Sequence, residues 1–506
     1  MNKFIRLSTI ILFLCIALNY LPANADDNSL VLATAANNLE LPEKITIDDV
    51  IEIGLSRNRD LETEKLNLTV DRAQIERELA DFDYTFGLDF DASARREEET
   101  YEAEDRGDVY VTRRESESFS AGLDRQFIDG TTLGLDFSSR RTETTRLDER
   151  FRSQVGLDLR RPLLQDAGRE ITQLSVNQAE KDLEISEHQL RGFVSSLVRD
   201  LKEHYWNFFL AHKQLQVHED ALELAREQLQ EVKKRIDVGT LPQLELAAAE
   251  ADMARQKERL IDARTRRDLA RLELLHLMNI DPDEKKDNPL PATSPQPEVE
   301  ELSQQQQLLE YALRHRPELD ESLLRLENQE LNVVRTANGL LPRLDFFVNL
   351  GQTGFANSFS RSIDDLDGDN YSLSGGLNFE YSFGNRAAAA QHEQAETRKE
   401  QQQLALANLR ALVTKDVRSS RLEVERARRQ VEATEATRHQ NQRALEAELT
   451  KLAHGRSTSR QVASARQDLT ESELSVLEAH VNLRRAHTDI LHHSAQLLSH
   501  HNIQLP

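Results

Sequence analysis

The sequence predicts an α+β membrane protein. Short amphipathic strands are pooled by several copies of the chain into one β-barrel, long coiled-coil helices continue it, and the plan is written as two internal repeats. Three observations carry this. A heptad seam occurs twice, segments of alternating polarity interrupt the helical pattern twice, and the aromatics concentrate in those segments. Of 27 aromatic residues, 18 fall in Phe82–Pro162 and Leu344–Phe383, where a lipid-facing wall would need them.

The seam is read by taking every seventh residue: Leu246, Met253, Leu260, Arg267, Leu274. Three positions on from each stand Ala249, Gln256, Ala263, Ala270 and Leu277. One rail is large and the other mostly alanine, the pattern of a close-packed coiled coil. It returns 216 positions later as Val462, Leu469, Val476, Leu483, Ile490, with Ala465, Ser472, Ala479, Ala486, His493. A duplicated hairpin accounts for it.

Composition narrows the class. The 506 residues are 38% hydrophobic, 30% charged and only 5% aromatic, with a formal net charge of -24. Such a chain favours long helices over a globular core, and without a basic tract it has no nucleic-acid footprint. Residues 1–25 read as an export signal: Lys3 and Arg6, an apolar run Leu7–Leu21, and Ala23-Asn24-Ala25 before Asp26. The single cysteine, Cys15, lies inside it, so the mature chain is expected to have no disulfide, thiol nucleophile or thiolate ligand. No later run is long and apolar enough for a membrane helix, which leaves a β-barrel as the only way to span.

The first repeat is expected over 26–280. A helix runs from about Ile45 to Asp81, then the period becomes two. Tyr84, Phe86, Leu88 and Phe90 alternate with polar partners. Further alternating runs are Phe119–Phe127, Leu133–Phe137 and Phe151–Leu159, giving a strand region 83–162. An acidic loop is expected from Arg96 to Glu115 and a shorter polar loop from about Thr142 to Glu149. From about Arg169 a helix of some seventy residues, on the order of 100 Å at ~1.5 Å per residue, reaches Gly239. The seam then returns in the opposite direction. Prolines make 281–300 a linker. The second repeat, 301–506, restates the plan: a helix, strands over 344–383, a long helix from about Asn385 to His454, a break at Gly455, and the second seam.

Alternation alone also fits a soluble sheet with one buried face. The export signal, the polar loops and the lack of another core favour the barrel. One copy supplies too few strands to close it, so the strands predict an oligomer.

At this point the residues resemble the TolC-like outer-membrane efflux proteins over nearly all of the mature chain. Ala312-Leu313-Arg314-His315-Arg316-Pro317-Glu318-Leu319 is similar to that family's A-L-x-x-N-P-E-L, with a weaker copy at Leu55 to Leu61. Gly339-Leu340-Leu341-Pro342-Arg343-Leu344 resembles its G-x-x-P-x-L, and Arg161-Pro162-Leu163-Leu164 its strand exit. Gly455-Arg456-Ser457-Thr458 resembles its tip turn, with Val238-Gly239-Thr240 as the partner turn. The resemblance implies a homotrimer whose barrel sits in outer-membrane lipid of a Gram-negative bacterium and whose helices form a tunnel in the periplasm. It implies tips at Val238, Gly239, Thr240, Gly455, Arg456 and Ser457 that meet a periplasmic adaptor (membrane fusion) protein and, through it, an inner-membrane pump, for efflux or type I secretion. Two departures stand out. The family gives two strands per repeat, whereas the first repeat here offers four candidates: either the barrel takes six per chain, or one hairpin lies outside the wall. And the family's acidic tip constriction falls on Gln461 and Ser464, leaving Glu245, the first-repeat equivalent of Gln461, as the acid able to form a ring.

No enzyme motif, cofactor site or metal-ligand spacing stands out. Glu219, Glu223, Glu227 and Glu231 share one helix face and are expected to be solvated. His492, His493, His500 and His501 are expected in a frayed polar tail. The competing function is a secreted or periplasmic coiled-coil scaffold without transport activity, which would not need amphipathic strands.

Overall fold

The computed structural model describes residues 42–101, 108–145, 147–281, 289–294, 304–454 and 456–503. The expected export signal and Gly455 lie outside the described residues. The chain runs β1 (Lys44–Ile45), α1 (Ile47–Arg57), α2 (Arg59–Leu79), β2 (Tyr84–Tyr101), β3 (Asp108–Gln126), β4 (Thr132–Thr144) and β5 (Leu147–Pro162). A single turn α3 (Arg169–Thr172) leads into α4 (Leu174–Asp237), and α5 (Leu244–Leu277) returns. Then come β6 (Leu290–Pro291), α6 (Gln305–His315), α7 (Pro317–Asn338), β7 (Arg343–Ala356), α8 (Phe359–Asp364) and β8 (Tyr371–Glu380). The chain closes with α9 (Arg386–Ala453), α10 (Ser459–His493) and the turn α11 (Leu497–His500).

The first helix is two helices. Asn58 leaves the helical region (ψ 121) and its side chain accepts the Leu61 amide at 2.9 Å, starting α2 as an N-cap. The equivalent break before α7 falls at Arg316, because Pro317 holds the residue preceding it in extended backbone. α4 and α9 contain 64 and 68 residues. Their length is sustained by packing along the seams. Leu260 and Ala263 are buried against Leu215 and Leu222. Leu483, Ala486 and Ile490 are buried with Val413, Val417 and Val424 of α9. The four-residue stripe Glu219, Glu223, Glu227, Glu231 is exposed, and three of its members pair with Arg264, Arg226 and Arg235.

The middle of α4 is gripped from several sides. Tyr205, Trp206, Phe208 and Phe209 are buried. Tyr205 accepts the Thr293 amide at 2.9 Å. β1 pairs with β6, parallel, so that Ile45 faces Pro291. The described part of the proline-rich linker is therefore clasped to β1.

The C-terminal histidines correct an expectation. His492, His493 and His501 are packed, not frayed, while His500 in the turn α11 is exposed. His492 is buried and its Nδ1 lies 2.9 Å from Ser195 Oγ. The Lys202 ammonium donates to His501 Nε2 at 2.9 Å, and Arg316 donates to His493 Nδ1 at 3.3 Å. Burial, with His493 and Arg199 adding to it, lowers His492 to about 3. Burial beside Lys202 lowers His501 to about 4. Ile490 and Leu491 at the end of α10 and Leu497 at the start of α11 are buried, and these apolar anchors outweigh the polar look of the tail.

The strand lengths bring a second correction. β2 and β3 stay paired from Tyr84↔Arg125 to Tyr101↔Asp108. What is left of the expected acidic loop lies at 102–107, outside the described residues. β4 and β5 likewise extend through most of the expected Thr142–Glu149 loop. Apolar alternation stops part-way along the strands, but the backbone ladder continues on charged pairs. Arg141 on β4 meets Glu117 on β3 at 3.3 Å and Glu149 on β5 at 2.5 Å. At the other end β3 and β4 meet in a tight turn, with Gly130 at φ 86. A Cβ there would come within 2.9 Å of the Asp166 carbonyl, so glycine is required for both reasons. β3 and β4 thus carry no helix at either end.

Candidate functional site

Six strands pair antiparallel in the order β2-β3-β4-β5-β7-β8. Their register stacks side chains in rows across the sheet. One row reads Phe86, Leu123, Leu135, Leu157, Leu350, Leu373, apolar from edge to edge. The next reads Leu88, Ala121, Phe137, Val155, Gln352, Tyr371. Among the described residues these two rows lie open: Phe86 is 53% exposed and Leu373 65%, and Leu377 on the same face is 64% exposed. An uncovered apolar face of this extent marks an interaction with lipid or protein.

The opposite face is polar in the same rows. Thr85, Asp124, Gly134, Asp158, Asn349 and Ser374 form one row, and Gly87, Gly122, Asp136, Gly156, Gly351 and Ser372 the next. The glycines seat the aspartates. A Cβ at Gly134 would meet Asp124 Oδ1 at 2.7 Å, and one at Gly156 would overlap the Asp136 carboxylate. An open groove of about 880 Å³ lies on this face, lined by Asp124, Asp158, Arg160, Asp345 and Asn349 among others. Asp345 is buried and receives Arg160 at 2.7 Å and Arg343 at 3.1 Å, tying β5 to β7. Toward the end of the strands away from the helices the same face gains arginines, with Arg95, Arg114, Arg140, Arg150 and Arg152 at positions of matching parity and Arg95 paired with Glu97 at 3.3 Å.

The far ends of the helical hairpins are built differently from each other. After α4 the chain closes a Schellman turn: Gly239 N–H donates to Ile236 O at 2.9 Å and Thr240 N–H to Arg235 O at 2.8 Å. Gly239 sits at φ 74 with open space around it. Val238 is 73% exposed and Leu244 83%. In the second turn Arg456 N–H donates to Lys451 O at 2.8 Å. Ser457 Oγ donates to Glu448 at 2.7 Å, and Thr458 opens α10 with a capping box to Gln461. Gln461 therefore has a local task. Ser464 is exposed, and Glu245 is half-buried in the first turn of α5, where a carboxylate also favours the helix N-terminus. Sequence reading missed the Arg141 cluster and the Asp345 bridge, since neither shows without the strand register.

Among the described residues, no helix is long and apolar enough to cross a membrane, and no group of three or more His, Cys, Asp or Glu could hold a metal ion. A family model described as outer membrane efflux protein matches residues 130–279 and 308–492. Solved structures share the fold. CusC, described in terms of transmembrane channel formation, matches with a TM-score of 0.66 at 16% identity, covering 88% of this chain and 91% of that one. The outer membrane channel CmeC of Campylobacter jejuni gives 0.65 at 16% identity, covering 89% and 86%. The open-state MtrE outer membrane channel of Neisseria gonorrhoeae gives 0.64 at 17% identity, covering 89% of each chain. No curated protein matches the sequence significantly.

Proposed function

Because the chain belongs to the outer membrane efflux protein family, we propose that three copies form an outer-membrane channel whose helices continue as a periplasmic tunnel. The observation that carries this is the apolar row running unbroken across all six strands while the outer edges of β2 and β8 have no partner strand among the described residues. Such edges are satisfied when β8 of one copy pairs with β2 of the next. The row includes Leu123 and Leu135 of the extra hairpin, so β3 and β4 belong in the wall, and three copies give 3 × 6 = 18 strands.

The chain performs no covalent chemistry in this reading. Its polar sheet face lines the conduit. The tips, with Val238 and Leu244 exposed, meet a periplasmic adaptor that couples the tunnel to an inner-membrane pump, for efflux or type I secretion. Glu245, repeated by three-fold symmetry, supplies an acidic constriction, whereas Gln461 is occupied by its cap. The test is reconstitution of the purified protein in planar lipid beside heat-modifiable gel migration. Stable conductance and a heat-sensitive trimer are expected. A freely soluble monomer without conductance would sink the proposal and leave the scaffold function.

A further inference from the structure

The lipid-facing belt of that reading has a gap, and α8 closes it. At the end of the sheet away from the helices, the row of the apolar face reads Phe90 and Phe119 on β2 and β3, then Ser139, Ser153 and Gly354 on β4, β5 and β7. Two strands thus carry the aromatics expected at a membrane boundary and three carry small residues. α8 sits on those three. Ser362 is fully buried, with its Oγ 2.7 Å from Ser153 Oγ, which is itself 3.0 Å from Ser139 Oγ. A Cβ at Gly354 would overlap the Ser362 carbonyl and stand 2.9 Å from the Leu366 nitrogen. The Phe355 amide donates to Asp365 at 2.8 Å and holds the following turn. On its outer side α8 shows Phe359, 46% exposed and 6.4 Å from the Phe151 ring, and Ile363, 38% exposed.

We propose that α8 is an in-plane anchor whose Phe359–Ile363 edge rests in outer-leaflet lipid at the boundary between acyl chains and headgroups. The proposal rests on the barrel reading. Its argument is continuity: α8 extends the exposed apolar face at the level of Phe90 and Phe119, and aromatic side chains are favoured at that depth. The small residues beneath it exist to let it lie flat.

The test uses the full-length protein in vesicles of phosphatidylcholine brominated either near the headgroup or near the chain end, with the emission of Trp206 in the parent subtracted. Phe359→Trp is expected to lose emission to the shallow bromines and keep it with the deep ones. Leu157→Trp, in the middle of the belt, is expected to show the reverse. If Leu157→Trp is quenched and Phe359→Trp is not, the anchor is wrong and the barrel stands. If neither is quenched, both fall. Ile363→Cys that forms a disulfide-linked dimer within the trimer would assign the edge to a neighbouring copy and also overturn the proposal.

Discussion

Acid should loosen the C-terminal end of α10 through two histidines. His492 is held at about 3 and His501 at about 4, against an ordinary value near 6.5. Burial disfavours the charged ring in both cases. The unfolded chain therefore takes up protons that the folded one refuses. Their stabilising effect is complete above about pH 7, is lost as pH falls below 6.5, and stops changing once the folded rings titrate near 4 and 3. Since pH 5 lies about 1.5 units below the unfolded value and still above both folded ones, at ~1.4 kcal/mol per unit each costs about 2 kcal/mol. The pair costs about 4 kcal/mol if the two act independently. Lys202, lowered to about 8 by its burial, stays charged in both states over this window and adds nothing to the slope. The assay is amide exchange across α10 and α11 at pH 7 and pH 5, corrected for intrinsic exchange. His492→Asn keeps a polar atom opposite Ser195, and His501→Gln one opposite Lys202. The parent should lose about 4 kcal/mol more protection than the double variant on going to pH 5. Equal losses in the two proteins would refute the reasoning.

Other outcomes follow from the same structure. Gly239→Val forces a β-branched residue to φ 74 and should cost at least ~1–2 kcal/mol locally, read as faster proteolysis at the tip and weaker adaptor cross-linking. Leu157→Lys in the centre of the apolar row should cost ~2–4 kcal/mol of insertion and reduce the heat-modifiable oligomer in membrane fractions. Replacing Arg140 and Arg152 together by Gln removes two charges per copy from the arginine-bearing end of the polar face and should move the reversal potential in a salt gradient toward cations. Asp345→Ala leaves Arg160 and Arg343 without their shared carboxylate and should cost about 1–3 kcal/mol, measured by urea sensitivity of the oligomer.

Where the sequence spoke clearly, one residue period dominated. Leu260 and Leu483 recur in heptads because they pack helix on helix, and Phe86 and Leu157 alternate because one sheet face is polar. Features made by contacts between distant segments left no such trace. Asn58 caps α2 and also donates its side-chain amide to the Leu277 carbonyl, 219 residues further along the chain. The strands beyond Ala92 carry charge on both faces, so alternation vanished while pairing continued. His492 and His501 read as polar until Ser195 and Lys202, some 300 residues earlier, are placed beside them. The same holds for the tips. Gly239 could be recognised as a breaker, but the engagement of Gln461 in a cap depends on how Thr458 is oriented.

The hairpin turn at Gly130 has a geometric consequence. Four strands of each copy hand over to helices, and β3 and β4 do not. In a three-fold assembly, eighteen strands would then stand on twelve helices, counting α2, α4, α7 and α9 of each copy. Since a closed sheet widens roughly in proportion to its strand count, the upper compartment would be about half as wide again as one matched strand for helix. The conduit would then be a funnel with a ledge at each Asp129–Gly130 corner, and the proposed constriction at Glu245 would size what passes far below, where the helices end.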